Sequence, residues 1–393
     1  MKFKTKLKLD RTVGTPALFL LNAVVLLVGI ILRRDHSLKK TSIKKIAVQK
    51  IIGMGSIIEF SSSLQTLRFC FPQAKIIFIS SIVNRQLLEL YGDYIDDYVF
   101  IDDRSIFRLA FSSLKAVFKL IGKKIDIFFN LEVYSSFSTL ISVFSLARNR
   151  FGFYLRSTAF RKGLDTHHIF YNQLKNIREI YGHMIERSGC PSINNKTLVA
   201  PPVPTESRSR VENFLHYHKI TDFILININT SELSLERRWP EEYWIRLAPF
   251  LLENFGHSLL FSGSAEERDY VDSVIQKIDT NFPGKILNVA GEFNLKEFTF
   301  LIRKSILFIT IDSGPYHLGA SAEIKMVSLW GPENPYMYGL PKSGQTFLYR
   351  DVYCSPCVKQ TDKPPCRGDN FCMKDITVED VLAAVKSLLS SKN

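Results

Sequence analysis

Short β-branched runs alternate with longer stretches of helical periodicity twice along this chain. In the first half, strands are predicted at residues 45–49, 75–80, 98–101 and 125–130, with helices at 57–71, 84–91, 105–121 and 135–147. In the second half, strands at 223–227, 258–262, 285–288, 306–311 and 325–330 alternate with further helices, and a helix at 377–389 closes the chain. Such alternation is typical of parallel sheets with helices on both faces, so it predicts two α/β domains.

A segment rich in proline, serine and asparagine, PSINNKTLVAPPVPTESRSR, separates the two halves and predicts a linker. The predicted organisation is an amino-terminal segment at 1–40, a first domain at 41–195, a linker at 196–220 and a second domain at 221–393. The chain has 393 residues, of which 46% are hydrophobic and 23% charged. This balance is that of globular domains and excludes a disordered or fibrous protein.

Positive charge is concentrated at the amino terminus. The formal net charge is +13, and residues 1–45 hold eleven of the 51 Lys and Arg but only two of the 38 Asp and Glu. The rest of the chain is nearly balanced in charge. It has no overall basic field and no nucleic-acid-binding motif, so we expect no nucleic-acid partner.

An apolar segment lies between those basic residues. Residues 15–32, TPALFLLNAVVLLVGIIL, carry no charge, and eighteen residues is near the lower limit for crossing a bilayer core. A cleaved signal peptide is disfavoured because Arg33-Arg34 follows directly without a small-residue cleavage site. The dense flanking charge also disfavours a buried core helix. We interpret the segment as membrane-associated, either spanning an anionic membrane or lying in its interface.

The run FITIDSGPYHLGASAEIKMVSLWGP at 308–332 has the outline of an anion-binding site. A strand stops at Asp312, and Pro315 starts a small-residue helix that carries His317. Ser313 or Asp312 can cap this helix, whose first backbone N–H groups favour a phosphate. The alternative is an ordinary strand-to-helix turn with a solvated histidine.

This run and three other segments resemble glycosyltransferase family 9, the ADP-heptose:lipopolysaccharide heptosyltransferases. The family pattern Asp-Ser/Thr-Gly-x-x-His, followed later by Gly-Pro, is matched by Asp312, Ser313, Gly314, His317, Gly331 and Pro332. Residues 45–71, 237–241 and 263–266 resemble the family's opening glycine loop, its Lys-x-Trp-Pro segment and its Gly-x-x-Glu loop. The resemblance implies the GT-B architecture, two Rossmann-like domains facing each other across a cleft, and no catalytic metal.

The resemblance also implies that the second domain binds a nucleoside diphosphate sugar. Arg237 aligns with the family's phosphate-contacting lysine, and a cation there stabilises the leaving diphosphate. We expect Glu266 to accept hydrogen bonds from ribose hydroxyls, and Thr230, Ser231 and His317 to donate to phosphate or sugar. The alternatives are a surface role for Arg237, a helix-dipole role for Glu266 and a structural role for His317.

The predicted acceptor loop contains Gly53 and Gly55, which allow the backbone to approach a ligand closely. In the family, the residue after the second glycine is commonly an aspartate proposed as the general base. Here it is Ser56, which can hydrogen-bond an acceptor hydroxyl but cannot take its proton in the usual sense. Glu59, about one helical turn on, is the predicted replacement, with an exposed helix charge as the alternative. Glu132, past the fourth strand, is the second candidate.

Four cysteines follow the second domain's strands in the spacing C-x2-C-x8-C-x5-C. They are Cys354, Cys357, Cys366 and Cys372. Four thiolates suit a closed tetrahedral zinc site, which predicts a structural zinc without a catalytic role. Two disulfides or four reduced thiols are the alternatives. Cys70 and Cys190 are interpreted as isolated residues.

The combined prediction is an inverting glycosyltransferase that moves a sugar, heptose or a related one, from a nucleoside diphosphate to a lipopolysaccharide-core or other lipid-linked acceptor. We expect it at the cytoplasmic face of the inner membrane, because nucleotide-sugars and reduced thiols belong to the cytoplasm. A nucleotide-sugar epimerase or hydrolase of the same fold is one alternative. The other is a nucleotide-sugar-binding protein without transferase activity, which Ser56 would explain.

Overall fold

The computed structural model describes residues 5, 8, 10–32, 36–38, 43–191, 197–230, 235–279, 284–340, 342–358, 361, 364 and 366–390. The chain divides between Val199 and Ala200 into two compact units. We call the residues up to Val199 unit 1 and those from Ala200 onward unit 2.

Unit 1 is built on a parallel sheet with the strand order β3-β2-β1-β4-β5-β6. The strands are β1 (Lys45–Gln49), β2 (Lys75–Ser81), β3 (Asp97–Ile101), β4 (Ile127–Asn130), β5 (Asn149–Tyr154) and β6 (His167–Phe170). The direction of strand addition reverses between β1 and β4. The carboxyl ends of these two strands therefore form the topological switch point, where open α/β sheets bind ligands.

The helices of unit 1 are α1 (Thr15–Leu32), α2 (Met54–Glu59), α3 (Ser61–Cys70), α4 (Arg85–Leu90), α5 (Ile106–Lys123), α6 (Ser136–Phe144) and α7 (Ile177–Glu186). Helices α5 and α6 cover one face of the sheet, where Ala116, Leu120 and Ile141 share a buried cluster with Ala47. The neighbours of Ala47 in β1 point to the opposite face and are equally buried, so both faces are covered.

Unit 2 repeats this topology with the order β12-β11-β10-β7-β8-β9, all parallel. Its strands are β7 (Phe223–Asn227), β8 (Ser258–Ser262), β9 (Ile286–Asn288), β10 (Leu307–Ile311), β11 (Met326–Trp330) and β12 (Gln345–Tyr349). Its switch point lies between β7 and β10.

The helices of unit 2 are α8 (Thr205–Tyr217), α9 (Glu241–Phe255), α10 (Arg268–Ile275), α11 (Leu295–Lys304), α12 (Gly314–Ser321), α13 (Pro335–Tyr338), α14 (Phe371–Lys374) and α15 (Val378–Ser390). The main core contains Trp239 and Trp244, whose rings pack edge to face at 4.7 Å. Val381 and Val385 of α15 join the same core, so the closing helix is part of unit 2.

The apolar amino-terminal segment forms α1, which packs on unit 1 along one side. Leu18 is fully buried in a small cluster with Val143 of α6 and Leu164. Most other apolar side chains of α1 are exposed, including Leu20 and Ile31. Among the described residues, Asp10–Ile31 is the single helical stretch whose length and composition would allow it to cross a membrane.

Asp10 attaches this segment to α6. Its carboxylate accepts hydrogen bonds from the backbone N–H of Ser136 at 2.9 Å and of Phe137 at 2.6 Å. These N–H groups belong to the first turn of α6 and have no partner within the helix. The contact stabilises the helix start through both hydrogen bonding and the helix dipole.

Several elements differ from the predictions. Strands β5, β6 and β12 were not predicted; β5 contains a glycine and β6 two histidines, which obscure the pattern of a buried strand. The helix predicted at 57–71 is divided at Phe60 into α2 and α3. Residues 196–220, predicted as a linker, include α8, which buries Val211 and Leu215.

Cys70 and Cys190 form a disulfide, so their interpretation as isolated residues is wrong. Cys70 ends α3 and Cys190 follows α7, and they are 120 residues apart in sequence. The two helices pack against each other, with Phe60 beside α3 and Tyr181 of α7 in edge-to-face contact at 5.4 Å. Tertiary packing brings the thiols together, and sequence spacing carries no signal of it.

Candidate functional site

The carboxyl ends of β7 and β10 are joined by the side-chain amide of Asn227. Its Nδ2 donates to Oγ1 of Thr310 at 3.2 Å, to Oγ of Ser313 at 3.1 Å and to the carbonyl of Asn229 at 3.1 Å. All four residues are buried. This network fixes the loop after each strand at the switch point of unit 2.

Helix α12 begins at this point with Ser313 in the N-cap position and Pro315 in the first turn. The Ser313 hydroxyl donates to the carbonyl of Ile311 at 3.2 Å and makes no capping bond to the helix. The Tyr316 N–H donates to the Ser313 carbonyl at 3.1 Å, and Pro315 has no N–H, so the Gly314 N–H is the group in this first turn that could bind a ligand. A helix start of this kind, at the carboxyl edge of a parallel sheet, favours an anion.

Arg237 lies beside this helix start, between two acidic side chains. Its Nε is 3.4 Å from Oδ2 of Asp312, and its Nη2 donates to Oε2 of Glu333 at 3.3 Å. Burial acts to lower the pKa of Arg237, but the carboxylates of Asp312 and Glu333 outweigh it and raise the pKa. The guanidinium is therefore a fixed, permanently charged group next to the predicted phosphate site.

The backbone around Arg237 is held by residues near the carboxyl terminus. The Asn370 amide donates from Nδ2 to the carbonyl of Glu236 at 2.8 Å and to that of Arg238 at 2.7 Å. The Trp239 indole donates to the carbonyl of Ile376 at 2.8 Å. Arg237 thus stands on a clamped segment, which limits the conformational entropy lost on binding a ligand.

The loop after β11 is held by the same carboxyl-terminal region. Oγ of Ser355 donates to the Gly331 carbonyl at 2.5 Å, and the Cys357 N–H donates to the Pro332 carbonyl at 3.0 Å. A Cβ at Gly331 would lie 2.5 Å from Sδ of Met373, so any larger residue would force the buried Met373 side chain to shift. The cysteine-containing segment therefore supports the loop that carries Glu333.

The four cysteines of the predicted zinc site are free thiols. Cys357 and Cys372 are buried, whereas Cys354 and Cys366 are half-buried. Burial raises the pKa of Cys372 to about 12 and also raises that of Cys357, and the neighbouring thiols add to both shifts. Across the described ranges, no three His, Cys, Asp or Glu side chains are grouped closely enough to hold a metal ion. The zinc site stays a prediction.

Glu266 and Glu267 begin the helical segment after β8 and differ in their surroundings. The Glu267 carboxylate accepts a 2.7 Å hydrogen bond from the Ser264 N–H, which completes a capping box. Glu266 is exposed, and hydrogen bonds from its own backbone N–H and from the Ser264 side chain lower its pKa. Glu266 is therefore an ionised acceptor at the carboxyl edge of the sheet.

The other predicted donor-site residues lie at the same edge of the sheet or outside the residues that the structure describes. Thr230 is buried just past β7, next to Asn229. His317 is buried in α12, with its ring 5.0 Å from that of Tyr316. Ser231 lies outside the described residues. The structure thus brings Thr230, Asp312, Ser313 and His317 to the ends of the two central strands of unit 2.

In unit 1, Glu132 organises the predicted acceptor loop. Its Oε1 accepts hydrogen bonds from the N–H groups of Ile51 at 2.8 Å and Ile52 at 2.9 Å, and its Oε2 accepts one from Nζ of Lys50 at 2.9 Å. The loop then turns through Gly53, whose φ of 93° favours glycine. Glu132 is buried, and its hydrogen bonds hold the loop at the switch point.

Glu59 lies on α2 one turn past Ser56, as predicted, but it is not the exposed helix charge given as the alternative. Its side chain is fully buried, and Oε2 accepts a 2.6 Å hydrogen bond from Nη1 of Arg178 on α7. A carboxylate held in this way has no open approach for an acceptor hydroxyl, so the contact argues for a structural role. Ser56, on α2, shares a hydrogen bond with the Tyr181 hydroxyl, whose pKa is raised mainly by burial.

Several residues of these sites were missed by the sequence analysis. Glu333 and Asn227 each follow or end a predicted strand, but a single polar residue at such a place is common. Asn370 lies outside every predicted helix and strand. Arg178 lies in α7, whose mixed composition does not single it out. The Gly331-Pro332 motif could have pointed to Glu333, because it immediately follows.

Known proteins match this chain in sequence and in fold. The family model for glycosyltransferase family 9 (heptosyltransferase) matches residues 153–367, more than half of the chain. The chain is 25% identical over 352 residues to a lipooligosaccharide heptosyltransferase 2 from Campylobacter jejuni, covering 89% of this chain and 99% of that protein.

Two solved Escherichia coli structures share the fold. ADP-heptose LPS heptosyltransferase II superposes with a TM-score of 0.70 at 20% identity, covering 88% of this chain and 98% of that chain. Heptosyltransferase WaaC with ADP-2-deoxy-2-fluoro heptose gives a TM-score of 0.62 at 13% identity, covering 87% and 99%. The match of family and fold leads to one conclusion: the chain belongs to glycosyltransferase family 9 and is a glycosyltransferase.

Proposed function

We propose that this glycosyltransferase is a heptosyltransferase that moves heptose from an ADP-linked donor to a lipopolysaccharide-core acceptor, with inversion. The observation that carries the proposal is the charged Arg237 beside the start of α12. Its guanidinium is 3.4 Å from Asp312, the residue that opens the α12 loop. The C. jejuni relative is named a lipooligosaccharide heptosyltransferase, and the WaaC structure contains an ADP-heptose analogue.

Negative charge builds on the diphosphate as the glycosidic bond breaks. Arg237 is suited to stabilise it, because a guanidinium can donate to two oxygens at once and keeps its charge when buried. The first N–H groups of α12 add partial positive charge from the same edge. Ser313 and Thr230 supply hydroxyls for the phosphates or the sugar. These groups support transfer without a catalytic metal.

Recognition of the nucleoside and of the sugar needs hydrogen-bond acceptors on the protein. Glu266 is ionised and exposed beyond β8, where it can accept hydrogen bonds from ribose hydroxyls. Asp312 and Glu333 flank Arg237 and fix the direction of its guanidinium. His317, on α12, can donate to a phosphate or sugar oxygen.

On the acceptor side, Ser56 is proposed to orient the acceptor hydroxyl. The loop that carries it is fixed by Glu132, which bonds Lys50 and the backbone of Ile51 and Ile52. Glu59 and Glu132 act as positioning residues, because each carboxylate is already bonded to a buried cation. The enzyme would act at the cytoplasmic face of the inner membrane, where ADP-heptose and the acceptor meet.

The test is a transfer assay with the full-length chain, ADP-heptose and heptose-deficient lipopolysaccharide, followed by mass analysis of the acceptor. We expect heptose on the acceptor and stoichiometric release of ADP. Arg237→Ala should weaken ADP binding by about 10- to 100-fold, the effect of losing a hydrogen bond to a charged group. Arg246→Ala, at an exposed position of the same unit, is the matched control. Donor turnover without acceptor modification would contradict the proposal.

A further inference from the structure

Helix α5 has two apolar sides, and only one of them packs on unit 1. Ala116 and Leu120 are buried against the sheet, and Leu109 packs beside them. On the other side the exposed fractions are 89% for Phe107, 73% for Phe111, 57% for Leu114 and 65% for Phe118. We call these four residues the α5 stripe.

The spacing of the α5 stripe is that of one helix face. The steps of four, three and four residues place the side chains in a line along about three turns. A surface helix normally carries polar residues on its outer face. A continuous exposed apolar line with three phenylalanines marks a site where something else is bound.

The charges around the α5 stripe indicate what binds there. Residues 104–124 contain no acidic residue, and their basic residues are Arg104, Arg108, Lys115, Lys119, Lys123 and Lys124. Some of this charge is balanced from outside the helix, since Asp102 pairs with Arg104 and Arg108, and Asp97 pairs with Lys119 and Lys123. Lys115 and Lys124 are exposed. An apolar face bordered by cations fits an anionic bilayer surface.

Helix α6 connects this surface to the amino-terminal segment. It contacts α5 on one side and α1 on the other, and it exposes Phe144. Helix α1 leaves Phe19, Leu20 and Leu27 exposed. The apolar surfaces of α1 and α5 therefore lie on two helices that contact the same helix, α6.

We propose that α5 is a second membrane-binding element, whose stripe enters the interface of an anionic bilayer while its lysines and arginines contact lipid headgroups. Helix α5 follows β3, so the start of the stripe lies at the carboxyl edge of the sheet, the edge that also carries the Gly53 loop. Binding would hold that edge at the membrane surface. The proposal does not depend on which sugar the enzyme transfers.

A tryptophan in the stripe tests this locally, without removing α1. The native residues Trp239, Trp244 and Trp330 are all buried in unit 2 and give a constant background. Full-length Phe111→Trp is mixed with vesicles of equal phosphatidylglycerol and phosphatidylethanolamine, with or without brominated acyl chains. We expect a blue shift of the added emission and its quenching by the brominated lipid. Phe69→Trp, at an exposed site on α3, is the control and should stay unquenched.

Vesicle sedimentation gives a second readout. Changing Phe107, Phe111 and Phe118 together to Gln should lower the partition coefficient roughly tenfold or more, because three large apolar side chains no longer enter the bilayer. Changing Phe69, Leu174 and Phe170 to Gln, all exposed in unit 1, should have little effect. Neutral phosphatidylcholine vesicles should bind the native chain more weakly.

Four results would overturn the proposal. They are an unshifted Phe111→Trp signal on vesicle-bound protein, equal quenching of Phe69→Trp, failure of the full chain to bind anionic vesicles, and a concentration-dependent blue shift without lipid. The last would show that the stripe is covered by a second copy of the chain. Each result is independent of the transfer assay, because none measures heptose on an acceptor.

Discussion

Arg178 donates a 2.6 Å hydrogen bond from Nη1 to Oε2 of Glu59, and both side chains are buried in unit 1. The bond joins α2, next to the Gly53 loop, to α7. An ion pair removed from water in this way adds little net stability, but breaking it leaves one charge buried without its partner. Glu59 therefore has a structural task that competes with any role in proton transfer.

Glu59→Gln should lower the free energy of unfolding of the chain by about 3–5 kcal/mol, because Arg178 would stay charged and buried. Urea unfolding followed by circular dichroism measures this loss. Glu179→Gln, at an exposed position on α7, is the control and should stay within about 0.5 kcal/mol. A stable Glu59→Gln variant that binds donor but transfers sugar at least about 100-fold more slowly would restore Glu59 as the base.

Asn370 holds the backbone on both sides of Arg237 without being next to it in sequence. Asn370→Ala removes the hydrogen bonds to the carbonyls of Glu236 and Arg238, each worth about 1 kcal/mol. We expect ADP to bind about tenfold more weakly in calorimetry. Asn254→Ala, which removes an exposed amide bond to Phe250 in the same unit, is the control. Unchanged ADP affinity in Asn370→Ala would show that the clamp does not position Arg237.

The free energy of unfolding should depend on pH because Asp165 has different pKa values in the folded and unfolded states. Burial raises the pKa of this fully buried carboxyl to about 6, although Arg161, His168 and Arg150 act to lower it. The folded state therefore binds a proton more tightly than the unfolded state, whose pKa is near 3.8. Stability from this group is lost as pH rises from about 4 to about 6.

Asp165→Asn should remove that dependence. The variant should gain stability relative to the native chain as pH rises through this window, by about 3 kcal/mol above it, since each pKa unit corresponds to about 1.4 kcal/mol. Chemical denaturation between pH 4 and 8 measures the difference. A difference that is constant across this range would show that Asp165 does not titrate there.

The sequence predicts the two parallel α/β units well, because apolar strands buried on both faces leave a strong pattern. The strand end and the helix start at Asp312 to His317 follow from local rules for helix starts, so this turn could be predicted too. Contacts between residues that are far apart in the sequence could not be predicted. Glu59 with Arg178, Cys70 with Cys190, and Asn370 with the backbone beside Arg237 depend on tertiary packing. The exposed α5 stripe could not be predicted either. Hydrophobic periodicity predicts a helix, but it does not show which apolar side packs against the rest of the unit.

The cysteine segment offers a test that links metal content to the donor site. Protein purified under reducing conditions should contain about one zinc per chain, and changing Cys354 and Cys357 to Ser should remove it. The same variant should bind ADP more weakly, because loss of the zinc would loosen the segment from which the Ser355 side chain and the Cys357 N–H hold the Gly331-Pro332 loop. Changing Cys70 and Cys190 to Ser should leave the zinc in place. Metal-free protein with four titratable thiols would contradict the zinc site.

The amino-terminal segment gives the last prediction. The sequence analysis places residues 1–40 outside both predicted domains, but Asp10 bonds the first turn of α6 and Leu18 is buried beside Val143 and Leu164. Asp10→Ala should therefore lower the free energy of unfolding by about 0.5–2 kcal/mol, the usual cost of losing a helix-capping carboxylate. Urea unfolding in detergent measures it.

Asp93→Ala, at an exposed position of unit 1, is the control for Asp10→Ala and should have little effect. Deleting residues 1–40 should destabilise unit 1 by more than Asp10→Ala does, because it also uncovers the apolar side chains that Leu18 buries. If both changes leave the unfolding midpoint unaltered, α1 does not pack on unit 1 in solution. In that case the whole segment would be available to enter the membrane, and α5 would carry the contact between the bilayer and the folded unit.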